Sequence, residues 1–303
     1  MRLDFYTLDV FTTSRFGGNP LAVVLAADDL DTARMQTIAR EFNLSETVFV
    51  QAASNPAHSA SMRIFTPNEE ISFAGHPTVG TAILLAQNKA GNTLEEVDSI
   101  VTLEQKIGVV RVGVRLRPGE EGFAEFDAPK RPQDAGALPP VEKLAAGIGL
   151  IPSEIGFENH RPRCFAAGPA FAMIPISTRE AITKARVVHP HWESAFEEQG
   201  IVGAYLYTRQ CIHTKSAFHT RMFAPAMGVP EDPATGSAAI CLAGAIHQFD
   251  DFPDGTHKRT LEQGYTMNRP SHVIVTSVVR GGELETVRIG GQAVQVCEGK
   301  IEV

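Results

Sequence analysis

Four polar side chains stand where acid/base chemistry on a small anion could be built. Glu46 opens the apolar run ETVFV within NLSETVFV (43–50). A carboxyl at the edge of such a run is partly stripped of water. That favours its neutral form and suits it to giving and taking protons near neutral pH. The same residues also read as a turn in which Glu46 accepts local N–H bonds or faces water. His76 lies in AGHPTVGTAILL (74–85), and Ser237 lies in TGSAAICLAGAI (235–246). Both stretches open on a glycine, Gly75 or Gly236, that lets the backbone bend into a helix. Pro77 suits a first helical turn, where the N–H it lacks would be unpaired anyway. The first N–H groups of a helix have no internal partners and carry the positive end of its dipole. If the two helix starts face one another, they can hold a carboxylate. The alternative is two ordinary capped helices. Asp232, in PEDPATGS (230–237), precedes a proline and is held extended. It could orient His76 or accept a substrate amine, or it could form a local Asp-Pro turn. His76 could shuttle a proton, donate to a ligand, or only cap its helix.

The elements that position these residues come in two similar sets. In the first, RLDFYTLDVF is a strand, RFGGNPLAVVLAA (15–27) a bend and a buried strand, and DTARMQTIAREF (31–42) an amphipathic helix. Asp31 reads as its N-cap, with Met35, Ile38, Ala39 and Phe42 on one face. SETVFVQA and SASMRIFTP follow as strands, then AGHPTVGTAILLA. In the second set, CFAAGPAFAMIPI (164–176), STREAITKARV, GAYLYTR and SAFHTRMFAP precede TGSAAICLAGAI in the same order. Arg63, Phe65 and Pro67 match Arg221, Phe223 and Pro225. The separation drifts from 149 (Arg15 to Cys164) to 158 (Pro67 to Pro225) to 161 (Gly75 to Gly236). Four motifs in one order point to duplication.

The two glycine-led helices are apolar nearly all round, so protein must surround them. Strand-like segments at 101–116, 123–127, 272–280, 284–289 and 292–297 supply that surrounding, with Gly290-Gly291 as a hairpin turn. The sequence therefore predicts an α+β protein of two pseudo-symmetric lobes, each a curled mixed sheet or barrel around a central helix. The first lobe spans 1–127 and the second 128–287. A last strand at about 288–303 returns to the first. The Pro-rich stretch APKRPQDAGALPP (128–140) reads as the connector.

The duplication is lopsided where it matters. GAYLYTR offers Gly203 or Ala204 where Glu46 stands, so the second lobe has no matching carboxylate. An epimerase commonly places one base on each face of a carbon. A single acid/base that takes and returns a proton suits a double-bond shift.

Other chemistries find little support. A formal charge of −8 with no block of Lys or Arg leaves no footprint for nucleic acid. No G-x-G-x-x-G follows a strand, and no phosphate loop or nucleophile elbow occurs. His189 and His191 have no third ligand nearby. His213 and His219 are too far apart to grip one ion. No metal or organic cofactor is expected. Cys164, Cys211, Cys241 and Cys297 form no CxxC pair and read as buried free thiols in a reducing compartment. The N-terminus reads as a strand, and no apolar run approaches the ~20 residues of a membrane span. The expectation is a cytoplasmic protein.

Together DVFTTSRFGGNPLAVVL, NLSETVFV, FTPNEEISFAGHPTVGTA and PEDPATGSAA resemble the PhzF phenazine-biosynthesis family, within the diaminopimelate-epimerase-like superfold. The match runs over essentially the whole chain. The resemblance implies two lobes with a cleft between them, a homodimer, and isomerisation of trans-2,3-dihydro-3-hydroxyanthranilate without metal or organic cofactor. It implies Glu46 as the acid/base, roles at the site for His76, Asp232 and Ser237, and substrate-carboxylate contacts at Gly75 and Gly236. Related epimerases and proline racemases carry two cysteines at the helix starts. Here those places hold His76 and Ser237. The leading expectation is an isomerase of a small carboxylate. The competing ones are an epimerase or racemase using Glu46 with His76, and a non-catalytic binder of a small carboxylate.

Overall fold

The computed structural model describes residues 1–91 and 95–303. The protein is α+β. Its contacts divide it into one unit of Met1–Pro129 with Ile289–Val303 and another of Lys130–Arg288.

In the first unit, β1 (Arg2–Val10) runs antiparallel to β2 (Asn19–Val24). Helix α1 (Thr32–Phe42) crosses over to β3 (Glu46–Gln51), which lies parallel to β2. Then come β4 (Ala60–Phe65), short β5 (Glu70–Ile71), helix α2 (Gly75–Ala90), β6 (Val97–Gln105), β7 (Gly108–Leu116) and β8 (Phe123–Asp127). β4 is antiparallel to β3 and parallel to β6, while β6, β7 and β8 form a meander. The chain's last strand pairs with β1 through Ala293–Glu302 and also pairs with β8, which closes the ladder into a barrel. Helix α2 touches β1, β2, β3, β6, β7 and β8. Its residues Gly75–Leu84 are all buried, as a helix with no polar face requires. Helix α1 packs Met35, Ile38 and Ala39 on the other side of the sheet, against Val24, Phe49 and Phe65. That double cover explains why β3 is apolar on both faces. Asp31 caps α1 by accepting the Arg34 N–H at 2.7 Å.

In the second unit, β9 (Gln133–Gly136), α3 (Val141–Ile148), β10 (Arg163–Ala166), β11 (Ala170–Pro175), α4 (Arg179–Lys184) and α5 (His191–Ala195) come first. They are followed by β12 (Gly203–Thr208), β13 (Phe218–Ala224), β14 (Val229–Asp232), α6 (Gly236–Asp250), β15 (Gly255–Gln263), β16 (Ser271–Arg280) and β17 (Glu283–Glu302). Here β10 is antiparallel to β11, β11 parallel to β12, β12 antiparallel to β13, and β13 parallel to β15. This is the order of senses seen in β1, β2, β3, β4 and β6. Helix α6 touches β9, β10, β11 and β16.

The recurrence extends to single hydrogen bonds. TLEQ occurs at 102–105 and again at 260–263, 158 residues on. Leu103 pairs with Ala60, and Leu261 with Phe218. Glu104 accepts the N–H groups of Ser54 and Asn55, and Glu262 those of Ile212 and His213. Arg63 grips Glu70 with two nitrogens at 2.9 Å, and Arg221 grips Glu231 with two at 2.8 Å.

Register corrects part of the sequence alignment. Leu8 pairs with Leu21, which lies beside Glu46. Phe165 pairs with Phe171, which lies beside Gly203. Phe165 therefore corresponds to Leu8 rather than to Phe16. Between β10 and β11 the second unit uses the short turn 167–169, where the first unit has the loop 11–18 between β1 and β2.

Three other expectations also change. Gly290-Gly291 is not a turn but lies within β17. A Cβ on Gly290 would meet the Phe123 ring at 2.9 Å, so glycine there lets two strands approach. The preceding turn is Gly281-Gly282, both at positive φ. The stretch 128–140 does more than connect, since it contributes β9. Cys164 and Cys241 are buried, Cys211 is half-buried and Cys297 is exposed, and all four are free. Among the described residues no helix is long and apolar enough to cross a membrane.

Candidate active site

In the first unit, β3 starts at Glu46 and α2 starts at Gly75. The Nε2 atom of His76 stands 3.3 Å from Oε2 of Glu46. The histidine is 3 % exposed and the glutamate 14 %, so most of the solvent has been removed from between and around them. Burial pushes the His76 imidazole down to about 3, against a hydrogen bond with Pro20 that acts the other way. His76 is therefore neutral near pH 7. Proline has no N–H, so Pro20 contributes its carbonyl and the imidazole nitrogen must donate. With Nε2 facing Glu46, that donor is Nδ1, and Nε2 presents a lone pair to the carboxyl.

The central helices begin differently from the two crossover helices α1 and α4. Asp31 caps α1 and Thr178 caps α4 through their side chains. At α2 the N-cap is Ala74 and at α6 it is Thr235, and neither side chain caps its helix. Their first N–H groups are thus left to other partners, which suits an anion. Gly75 and Gly236 are buried, and Ser237 is half-buried at the α6 start.

Asp232 ends β14 and is half-buried. Its Oδ2 accepts the Thr235 hydroxyl at 2.5 Å, so the local turn exists. Gln263 extends this arrangement. Its Nε2 donates to the Asp232 carbonyl at 2.7 Å and to Thr235 Oγ1 at 3.1 Å, and its Oε1 accepts the Thr235 N–H at 3.2 Å. Tyr205 donates to the same Oε1 at 3.0 Å. Gln105 occupies the matching place in the first unit and donates to Thr78 in the first turn of α2. Sequence reasoning missed both glutamines. The signal was the repeated TLEQ, at the same separation as Pro67 and Pro225.

Position 203 has no room for a counterpart to Glu46. A Cβ built on Gly203 would lie 2.5 Å from Met222 Cε and 2.6 Å from the Phe223 carbonyl oxygen. Of the histidines set aside as metal ligands, His219 makes a structural bond through its side chain and His213 through its backbone. His219 Nδ1 lies 2.9 Å from Glu262, and the His213 N–H donates to the same carboxylate. Burial alone would raise Glu262, but these bonds outweigh it and bring it to about 2.

Comparison with known proteins bears on family and fold. The family model of phenazine biosynthesis-like PhzC-PhzF proteins matches residues 8–299. An uncharacterized isomerase of Mesorhizobium japonicum is 46% identical, over 98% of both chains. The trans-2,3-dihydro-3-hydroxyanthranilate isomerase of Pseudomonas aeruginosa is 31% identical, again over 98% of both. The crystal structure of a PhzF-family phenazine biosynthesis protein from Bacillus anthracis superposes with a TM-score of 0.87, at 26% identity and full coverage of both chains. Relatives across the whole length and a shared fold place the chain among isomerases, and it belongs to the phenazine biosynthesis-like PhzC-PhzF family.

Proposed function

We propose that the protein shifts a proton, and with it a double bond, on a small carboxylate, in the manner of trans-2,3-dihydro-3-hydroxyanthranilate isomerisation. Glu46 is the acid/base. Its carboxylate takes a proton from an acidified carbon, so a C–H bond breaks and an O–H bond forms. The resulting acid can donate a hydrogen bond to the lone pair on His76 Nε2, and Glu46 keeps the proton while charge moves through the π system. Glu46 then returns the proton to a second carbon. An ionised Glu46 would instead set two lone pairs against each other across this contact. The N–H groups at Gly75 bind the substrate carboxylate. In the second unit, Gly236 and Ser237 are proposed as substrate contacts and Asp232 as an orienting group, with Gln263 and Thr235 fixing its backbone. We further propose that the two units are pseudo-symmetric copies, each a curled sheet around its central helix.

The single observation that carries this reading is the buried Glu46–His76 pair, with its neutral imidazole. The blocked position 203 favours one acid/base over the two of an epimerase. Turnover of trans-2,3-dihydro-3-hydroxyanthranilate in heavy water, followed by mass spectrometry and NMR, tests it. Deuterium at a new carbon supports the double-bond shift. Deuterium with inversion at the original stereocentre supports an epimerase instead. Binding without turnover or exchange, across a panel of cyclic carboxylates, supports a binding protein.

A further inference from the structure

Phe16 is 71% exposed, and its backbone is left-handed at φ 70°. That conformation is strained for a bulky residue. An aromatic side chain in water gains nothing from it in the free protein, yet the loop is built to enforce it. The carboxylate of Asp9, 3% exposed, accepts the Phe16 N–H at 2.6 Å. Arg15 Nε donates to the Gln295 carbonyl at 2.8 Å. Gly18, at φ 61°, has the Val10 carbonyl oxygen only 2.3 Å from where a Cβ would be.

The loop sits at the reacting end of its unit. It leads into β2, whose Leu21 lies beside Glu46 in parallel register. Pro20, four residues after Phe16, is the hydrogen-bond partner of His76. The starts of β2, β3 and α2 therefore share one rim, and the loop 11–18 stands on it. The second unit, which has Gly203 in place of Glu46, makes the same connection with the short turn 167–169.

We infer that Phe16 is a specificity-determining residue whose ring packs on the flat, conjugated part of the substrate while Glu46 works on it. This rests on the proton-shift reading and narrows its substrates to cyclic carboxylates with a flat, conjugated segment over fully saturated ones. Aromatic stacking is worth a few-fold to about tenfold in affinity.

The test compares wild type, Phe16→Ala and Phe16→Tyr as full chains. Calorimetry measures binding of anthranilate, which is flat, and of cyclohexanecarboxylate, which is puckered. Kinetics on trans-2,3-dihydro-3-hydroxyanthranilate separates KM from kcat. Phe16→Ala is expected to lose about five- to tenfold for anthranilate and in KM. It should change less than twofold for cyclohexanecarboxylate and in kcat, and Phe16→Tyr should restore both losses. Equal losses for the two probes, or none, would overturn the inference while leaving the proton-shift reading intact. If wild type neither binds anthranilate nor turns over the dihydro compound, the substrate class itself falls and the inference falls with it.

Discussion

His76 Nε2 and Glu46 Oε2 face each other at 3.3 Å with the imidazole held neutral. In the proposed mechanism a neutral acceptor beside a carboxyl lets protonated Glu46 keep its proton in a hydrogen bond without creating a buried ion pair. This relationship sets the first two predictions.

Replacing Glu46 by Gln keeps size and hydrogen bonding but removes the proton carrier. The kcat of the isomerisation should fall by ~10²- to 10⁴-fold. Binding of a carboxylate ligand, read by calorimetry, should change little. A Gln variant with wild-type turnover would remove Glu46 from the chemistry.

The depressed His76 makes stability pH-dependent. The unfolded chain takes up a proton below about pH 6.5, while the folded protein refuses it until about 3. Stability should therefore be fully present above pH 6.5 and should fall as the pH drops from 6.5 toward 3, by on the order of 5 kcal/mol from this group. Urea titrations across that window should show a shallower slope in His76→Asn than in wild type. Equal slopes would mean that the imidazole titrates normally.

Gly203→Ala should be destabilised by about 1–3 kcal/mol, because the new carbon meets a backbone carbonyl that cannot move freely. Chemical denaturation checks it. A wild-type midpoint would show that the second unit can accept a side chain at the position equivalent to Glu46, and the argument for a single acid/base would weaken.

The two arginine–glutamate pairs should differ in worth despite their matching geometry. Arg221 is 6% exposed and also donates to the carbonyls of Ile182, Thr183 and Ala185. Arg221→Met strands those acceptors and the Glu231 charge, and should cost about 3–5 kcal/mol. The Arg63 side chain is 26% exposed, so Arg63→Met should cost no more than about 1 kcal/mol. Parallel melts of the two variants decide the point.

Much of this was legible in the chain. Apolar alternation and the capping signal at Asp31 marked strands and α1, because those patterns repeat within a few residues. Helices α2 and α6 declared themselves by lacking a polar face, and the ordered motifs marked the sequence of strand senses that recurs in the two units. The alignment of Phe16 with Phe165 failed because a shared aromatic-small-small pattern says nothing of strand register. The turn at Gly290-Gly291 failed because a glycine pair serves equally for a bend or for close strand approach, and only the Phe123 ring beside Gly290 distinguishes them.

The sequence by itself determined the class of fold, the paired glycine-led helices, and the choice of Glu46 and His76 as candidates. These rest on residue type and short-range spacing. Tertiary structure alone decided that His76 is neutral, that its Nδ1 donates to Pro20, that position 203 is filled by neighbours, and that Phe16 is held outward on the rim bearing Glu46. Each of these depends on which distant residues exclude water from a group or crowd it, and the chain must be folded before they meet.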